Sequence, residues 1–265
     1  MQIHLIELGQ GKRGEQSEPS GRLLDASERA RAARFLDPAA RRQFVRSREA
    51  LRHLLGRYLG LKPDRVPILL GPRGKPRLDP LYGELHFNLS HAGDFGLFAF
   101  VQGHPVGIDL ERIQQSTDLD GVAARFFDPA EREALRRLSP AGSVGAFYRV
   151  WTRREAVLKA LGLGLSAPAT AVSVSVAGPP AGWLIRVDES QRQQARNGKV
   201  QREEAQRQEA QRQEAQWQEA QSPVVPASSW LTCDLSPLPS YAAALAVPGG
   251  AGLRVSVQGV QFGRV

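Results

Sequence analysis

The sequence predicts an α+β fold made of two similar halves in one chain, related by a pseudo-two-fold axis with a ligand cleft between them. Three observations carry this reading. Short alternating or apolar runs, which suit strands, lie between segments of helical periodicity. The hexapeptide Arg34-Phe-Leu-Asp-Pro-Ala39 returns as Arg125-Phe-Phe-Asp-Pro-Ala130, and Arg48-Glu-Ala50 returns as Arg154-Glu-Ala156. Halves that share a helix start and a helix centre read as a duplicated unit. The first half spans 1–105 and the second 106–265, the latter with an insertion at 189–221.

Met1 to Leu8 alternates as a strand with Ile3 and Leu5 on one face, and a Gly- and Ser-rich loop follows to Gly21. Two helices come next. The second starts at Asp37-Pro38, a capping residue with proline in the first helical position, and carries the apolar stripe Phe44, Leu51, Leu54, Leu55 and Tyr58. Arg41, Arg48 and Arg52 align on its other, cationic face. Strands are predicted at Glu84–Leu89, Leu97–Val101 and Val106–Leu110, between glycines and prolines. From 189 to 221 the chain turns to Gln, Glu, Ala and Arg with a five-residue period, Glu204, Glu209, Glu214 and Glu219 each preceding Ala. Five residues overshoot a helical turn by about 140°, so no apolar stripe forms and the segment cannot anchor to a core. Order is expected to resume with paired strands at Ser229–Asp234 and Tyr241–Val247.

Composition narrows the function. With 265 residues, 42% of them hydrophobic, and no uninterrupted apolar stretch of membrane-spanning length (roughly 18 residues), the chain reads as a soluble globular protein. The first ten residues lack the regions of a secretory signal and there is a single cysteine, Cys233, so a cytoplasmic protein without a disulfide framework is expected. A net charge of +8 favours an anionic partner. Ten arginines fall between residues 22 and 57 against four acids, Asp25, Glu28, Asp37 and Glu49. Neither a dinucleotide fingerprint nor a phosphate loop occurs, and no nucleic-acid reader motif accompanies the basic helix.

Four segments carry chemistry. In Val106-Gly-Ile-Asp-Leu-Glu111, Asp109 and Glu111 are two apart on a strand and project from one face, where they repel unless a cation lies between them. Hard oxygen ligands of this kind suit Mg²⁺. In the helix from Phe147 to Lys159, the residues Phe147, Trp151, Leu158 and Leu161 mark one buried face, and Thr152, Glu155 and Lys159 share another. Lysine is scarce, yet two of five fall in these segments, Lys159 here and Lys75 in Gly71-Pro-Arg-Gly-Lys-Pro76. Phe87-Asn-Leu-Ser-His-Ala-Gly93 runs an apolar strand into a small polar turn, presenting Ser90 and His91, both able to donate to phosphate oxygens.

In this order, the Gly-Lys-Pro, Phe-Asn-Leu-Ser-His, Gly-Ile-Asp-Leu-Glu and Trp-Thr-x-Arg-Glu-Ala-x-x-Lys segments closely resemble the Sfp-type 4′-phosphopantetheinyl transferases, from about Phe35 to Leu165. The resemblance implies a monomeric, Mg²⁺-dependent enzyme that transfers phosphopantetheine from coenzyme A to a serine of an acidic acyl or peptidyl carrier protein and releases 3′,5′-ADP. It implies that Asp109, Glu111 and Glu155 bind the metal and serve catalysis, with Glu155 as the base, directly or through a water. It further implies that Arg73, Lys75, Ser90, His91 and Lys159 contact coenzyme A, and that Arg48 and Arg52 lie near the nucleotide and its 3′-phosphate. The family usually has Lys before the metal-binding Glu; this chain has Arg154, which keeps the charge with a different geometry. The alternative is a protein that binds coenzyme A or another nucleotide without catalysis, which would not need three converging carboxylates.

Overall fold

The computed structural model describes residues 1–8, 20–71, 74–115, 118–138, 140–164, 167–176, 181–187, 230–235, 238–249 and 256–260. The expectations for the 189–221 insertion lie outside them. The fold is α+β, as expected. One sheet has the order β11-β1-β5-β4, from Ser256–Val260, Gln2–Glu7, Phe95–Gln102 and Leu85–Ala92. A second has the order β6-β10-β9-β8-β7, from Gly107–Arg112, Tyr241–Pro248, Trp230–Leu235, Ala181–Val187 and Val172–Ser173. The short strands β2 (Ile68–Leu70) and β3 (Pro76–Leu78) form a separate hairpin.

Strand alternation decides what each sheet packs against. On β5, Leu97, Ala99 and Val101 point to the side where Ile108, Leu110, Ala243 and Leu245 of the second sheet lie, so the two sheets share a core. Phe98 and Phe100 point the other way, onto Leu51, Leu54 and Leu55 of the helix α2 (Pro38–Leu59). Each of those buried leucines contributes about 1.5–3 kcal/mol. β10 alternates likewise: Leu245 enters the inter-sheet core, while Ala242, Ala244 and Ala246 meet the helix α5 (Pro140–Leu161). Small residues let α5 lie close. Gly107 on β6 is required for the same reason, because a Cβ there would fall 1.8 Å from the carbonyl oxygen of Ala156. The layers therefore run helix, sheet, sheet, helix. No helix among the described residues is long and apolar enough to cross a membrane.

The helix starts follow from their caps. Asp37 accepts from the backbone N–H groups of Ala39 and Ala40 and Pro38 opens α2, as the dipeptide predicts. The short helices α1 (Ala26–Ala33) and α4 (Pro129–Arg136) each begin in a capping box, Asp25 with Glu28 and Asp128 with Glu131. Between β6 and α4 lies α3 (Leu119–Phe126).

Both boxes are gripped by a buried arginine from a long helix. Arg52 of α2 donates from Nη2 to Asp25 and from Nε to Glu28, both at 2.7 Å. Arg154 of α5 donates from Nη1 to Glu131 Oε2 at 2.9 Å. The expectation that Arg52 shares an open cationic face with Arg41 is thereby corrected: its side chain is 1% exposed, and Nη1 also donates to the carbonyl oxygen of Val66 at 3.0 Å.

Candidate functional site

The predicted residues meet where β4 of the first sheet touches β6 of the second. Asn88 makes the join: its side-chain oxygen accepts from the N–H of Ile108 at 2.8 Å. Two residues on, Ser90 donates to Asp109 Oδ1 at 2.9 Å. Ser90 and His91 belong to β4 itself and not to a turn beyond it.

Asp109 and Glu111 lie on the face of β6 opposite Ile108 and Leu110, which fill the inter-sheet core. That face looks at α5, on which residues 151, 155 and 159 recur every four positions and so form one row. Trp151 Nε1 donates to Glu111 Oε1 at 3.1 Å at one end. Lys159 Nζ donates to Asp109 Oδ1 at 2.6 Å and to Ser90 Oγ at 2.9 Å at the other. Glu155 lies between them, close enough for both strand carboxylates to act on it. Desolvation first, then the charge of Asp109, raises the Glu155 pKa to about 7, with Glu111 adding to the rise and Lys159 and Arg154 opposing it. Burial and the charge of Asp109 also raise that of Glu111.

Asp109 is almost fully buried, and its second oxygen, Oδ2, has no hydrogen-bond partner. Such an atom normally carries a desolvation cost of about 1–3 kcal/mol unless something binds it. The carboxylates do not close on a single point: among the described residues, no group of three or more His, Cys, Asp or Glu side chains is set to hold a metal ion.

The cationic residues divide. Arg48 is buried over the Phe44 ring, its guanidinium carbon 5.3 Å from the centroid, and its Nη1 has no partner. Burial lowers its pKa, and Glu28 opposes the shift. His91 is exposed at the strand end; partial desolvation, then the charges of Lys159 and Arg48, lowers its pKa, so both cations lie within electrostatic reach of it. Arg52, spent on α1, does not join them. Lys75 is engaged within the protein. Its ammonium donates to the carbonyl oxygens of Lys159 at 2.6 Å, Ala160 at 3.3 Å and Val106 at 3.4 Å. It caps the C-terminus of α5. Burial, with repulsion from Lys159, brings its pKa down to about 8. Arg73 lies outside the described residues.

Three residues near this site were not predicted from sequence. Asn88 and Trp151 hold the β4–β6 join and Glu111, and Glu131 holds Arg154, the neighbour of Glu155. A polar Asn inside an apolar strand was the available signal, since a buried amide needs a partner. The Asp-Pro-Ala-Glu start of α4 was the other.

Comparison with known proteins adds an independent line. Residues 105–221 match the profile of the 4′-phosphopantetheinyl transferase superfamily. The chain is 40% identical over 167 residues to the 4′-phosphopantetheinyl transferase HetI of Nostoc sp., covering 62% of this chain and 70% of HetI. It is 34% identical over 142 residues to a 4′-phosphopantetheinyl transferase of Bacillus subtilis, covering 50% of this chain and 62% of that protein. With the 4′-phosphopantetheinyl transferase Sfp of Bacillus subtilis strain 168 it shares 32% identity over 165 residues, covering 58% of this chain and 72% of Sfp.

Proposed function

This chain belongs to the 4′-phosphopantetheinyl transferase superfamily, which makes it a transferase, and on that premise we propose that it moves the phosphopantetheine arm of coenzyme A onto a serine of an acyl or peptidyl carrier protein and releases 3′,5′-ADP. One observation supports this most. A lysine, a serine and a buried aspartate share hydrogen bonds at the seam of two sheets, with two further carboxylates beside them. In this reading the seam is the floor of a cleft between two pseudo-symmetric halves, 1–105 and 106–265.

The donor types suit Mg²⁺, and the three carboxylates would have to draw together to hold it. Asp109, Glu111 and Glu155 supply hard oxygens, Asp109 Oδ2 is buried without a partner, and the charge of Asp109 makes ionised Glu111 and Glu155 more costly unless a cation offsets it. Bound there, Mg²⁺ would neutralise the pyrophosphate oxygens as charge develops on them. Lys159, with Ser90, would hold the pyrophosphate by charge-assisted bonds. Arg48 and His91 would take the 3′-phosphate: Arg48 has an unpaired buried N–H group, and both sit in the cationic cluster. The carrier serine then attacks the β-phosphorus in line with the departing 3′,5′-ADP, and Glu155 is the group this reading assigns to its proton. A monomeric cytoplasmic enzyme with an acidic carrier as partner, and no nucleic acid, completes the reading; the net charge of +8 supports it.

Incubation with coenzyme A, Mg²⁺ and a panel of apo carriers, followed by intact-mass measurement, tests it. A phosphopantetheine gain on at least one carrier, dependent on Mg²⁺, is expected. Binding of coenzyme A with no mass gain on any carrier would reduce the chain to a nucleotide-binding protein.

A further inference from the structure

We propose that Glu131 is a positioning residue for the transfer reaction, acting through Arg154 to fix Glu155 beside Asp109 and Glu111. The proposal rests on the reading of Glu155 as part of the site. Glu131 is 2% exposed and Arg154 is 4% exposed, so neither can rely on water for its charge. Glu131 answers this with bonds at both oxygens. Oε1 accepts from the N–H of Val174 at 2.7 Å and from Arg154 Nη1 at 3.1 Å; Oε2 accepts from the N–H of Asp128 at 2.8 Å and from Arg154 Nη1 at 2.9 Å.

Arg154 is held equally firmly. Nη1 also donates to the carbonyl oxygen of Val172, Nη2 donates to that of Ala169 at 2.7 Å, and the guanidinium lies over the Phe127 ring. Arg154 therefore joins three pieces of chain: the start of α4, the centre of α5 and the segment before β8. An arginine anchored on a helix fixes the rotation of that helix about its axis, and the next residue projects about 100° further round. That next residue is Glu155. Gly107 lets α5 lie close against β6, Arg153 ties the same turn to Asp234 through Nε and Nη2, and Arg154 adds the anchor that adjoins Glu155 and so helps set where it points.

The chemistry also favours this arrangement over a purely cohesive one. A buried ion pair is weak evidence for stability, because well-packed apolar residues of similar volume commonly do as well. Retaining one directly beside a site carboxylate is accounted for by orientation. The guanidinium also lowers the cost of the Glu155 charge.

The test compares the parent with Glu131→Gln, Arg154→Lys and Glu155→Gln in the full chain, reading kcat and KM for coenzyme A, melting temperature, and the affinity for Mn²⁺ followed by loss of the free-ion electron paramagnetic resonance signal. Partners that orient metal ligands typically account for about 10–100-fold in affinity or activity. Glu131→Gln is therefore expected to lower kcat and Mn²⁺ affinity by factors in that range, with KM for coenzyme A nearly unchanged. Arg154→Lys keeps the charge and the fold but loses the fork, and is expected to show a smaller loss of both. Parental kcat and Mn²⁺ affinity in these two variants, with Glu155→Gln inactive, would overturn the positioning role alone. Losses that merely follow the folded fraction would overturn it too. A parental rate in Glu155→Gln would bring down the reading of the site together with this inference.

Discussion

The two arginine clamps differ in a way their sequences do not announce. Each arginine is the fifteenth residue of a 22-residue helix, and each enters the capping box of a short helix. In the second clamp both oxygens of Glu131 are fully engaged and both partners are buried. In the first, Glu28 keeps an unpartnered buried oxygen, and the side chain of Asp25 is 37% exposed. The tight clamp adjoins Glu155, one residue on. The looser one lies a helical turn from Arg48, on the side we assign to the nucleotide. On the function proposed above, fixed carboxylates beside a looser nucleotide side would suit a reaction with strict metal geometry and a flexible co-substrate that enters and leaves.

The largest expected effect separates the clamps directly. Arg154→Ala strands Glu131 in the interior and is expected to destabilise the fold by about 3–5 kcal/mol. Arg52→Ala also strands the buried Glu28 but is expected to lose less, because its second partner, Asp25, can rehydrate. Urea unfolding of both variants measures this; equal losses would break the comparison.

A smaller effect tests the division of labour. Arg48→Ala is expected to lose about 1.5–3 kcal/mol of preference for coenzyme A over its 3′-dephospho form. Arg52→Ala, assayed where it is fully folded, is expected to keep that preference. If instead Arg52→Ala loses it and Arg48→Ala does not, the two arginines have been assigned the wrong way round.

A further effect concerns Lys75, which ties the β2–β3 hairpin to the end of α5. Lys75 titrates at about 8 in the folded chain and near the ordinary lysine value of 10.5 in the unfolded one. Between those values the unfolded chain holds a proton that the folded chain has released, so stability rises with pH across that window. Lys75→Met is expected to flatten the rise, read from urea midpoints across the same range. An unchanged slope would mean the ammonium stays charged against the α5 carbonyls.

Much of this architecture was legible beforehand. Asp37-Pro38 predicted the start of α2, alternation predicted β4, β5 and β6, and β9 pairs with β10 as expected. Asp109, Glu111, Glu155 and Lys159 could be grouped because each pair shares a local period that puts it on one face. Arg52 and Lys75 could not be placed that way. Helical spacing aligns Arg52 with Arg48 but does not say that Asp25 and Glu28 wait on a neighbouring helix. Nothing near Lys75 in sequence reveals that it will cap the last turn of a helix, at a carbonyl 84 residues later. Partners distant in sequence decide whether a cation is offered or spent, and a local period carries no trace of them. Glu131 stayed hidden because its capping box accounts for it completely until Arg154 is seen beside it.

One further consequence follows from the parallel pairing of β1 with β11, which sets Gln2 opposite Ser256. During synthesis the first strand leaves the ribosome early and soon finds β5, but its other edge stays bare until the last of its sheet has emerged. An open edge is a template for another chain. Translation that terminates before Ser256 would therefore leave a protein whose site segments are all present but whose first sheet ends on β1 in place of β11, so that the sequence of its outermost strand, and with it what that edge can pair with, is changed.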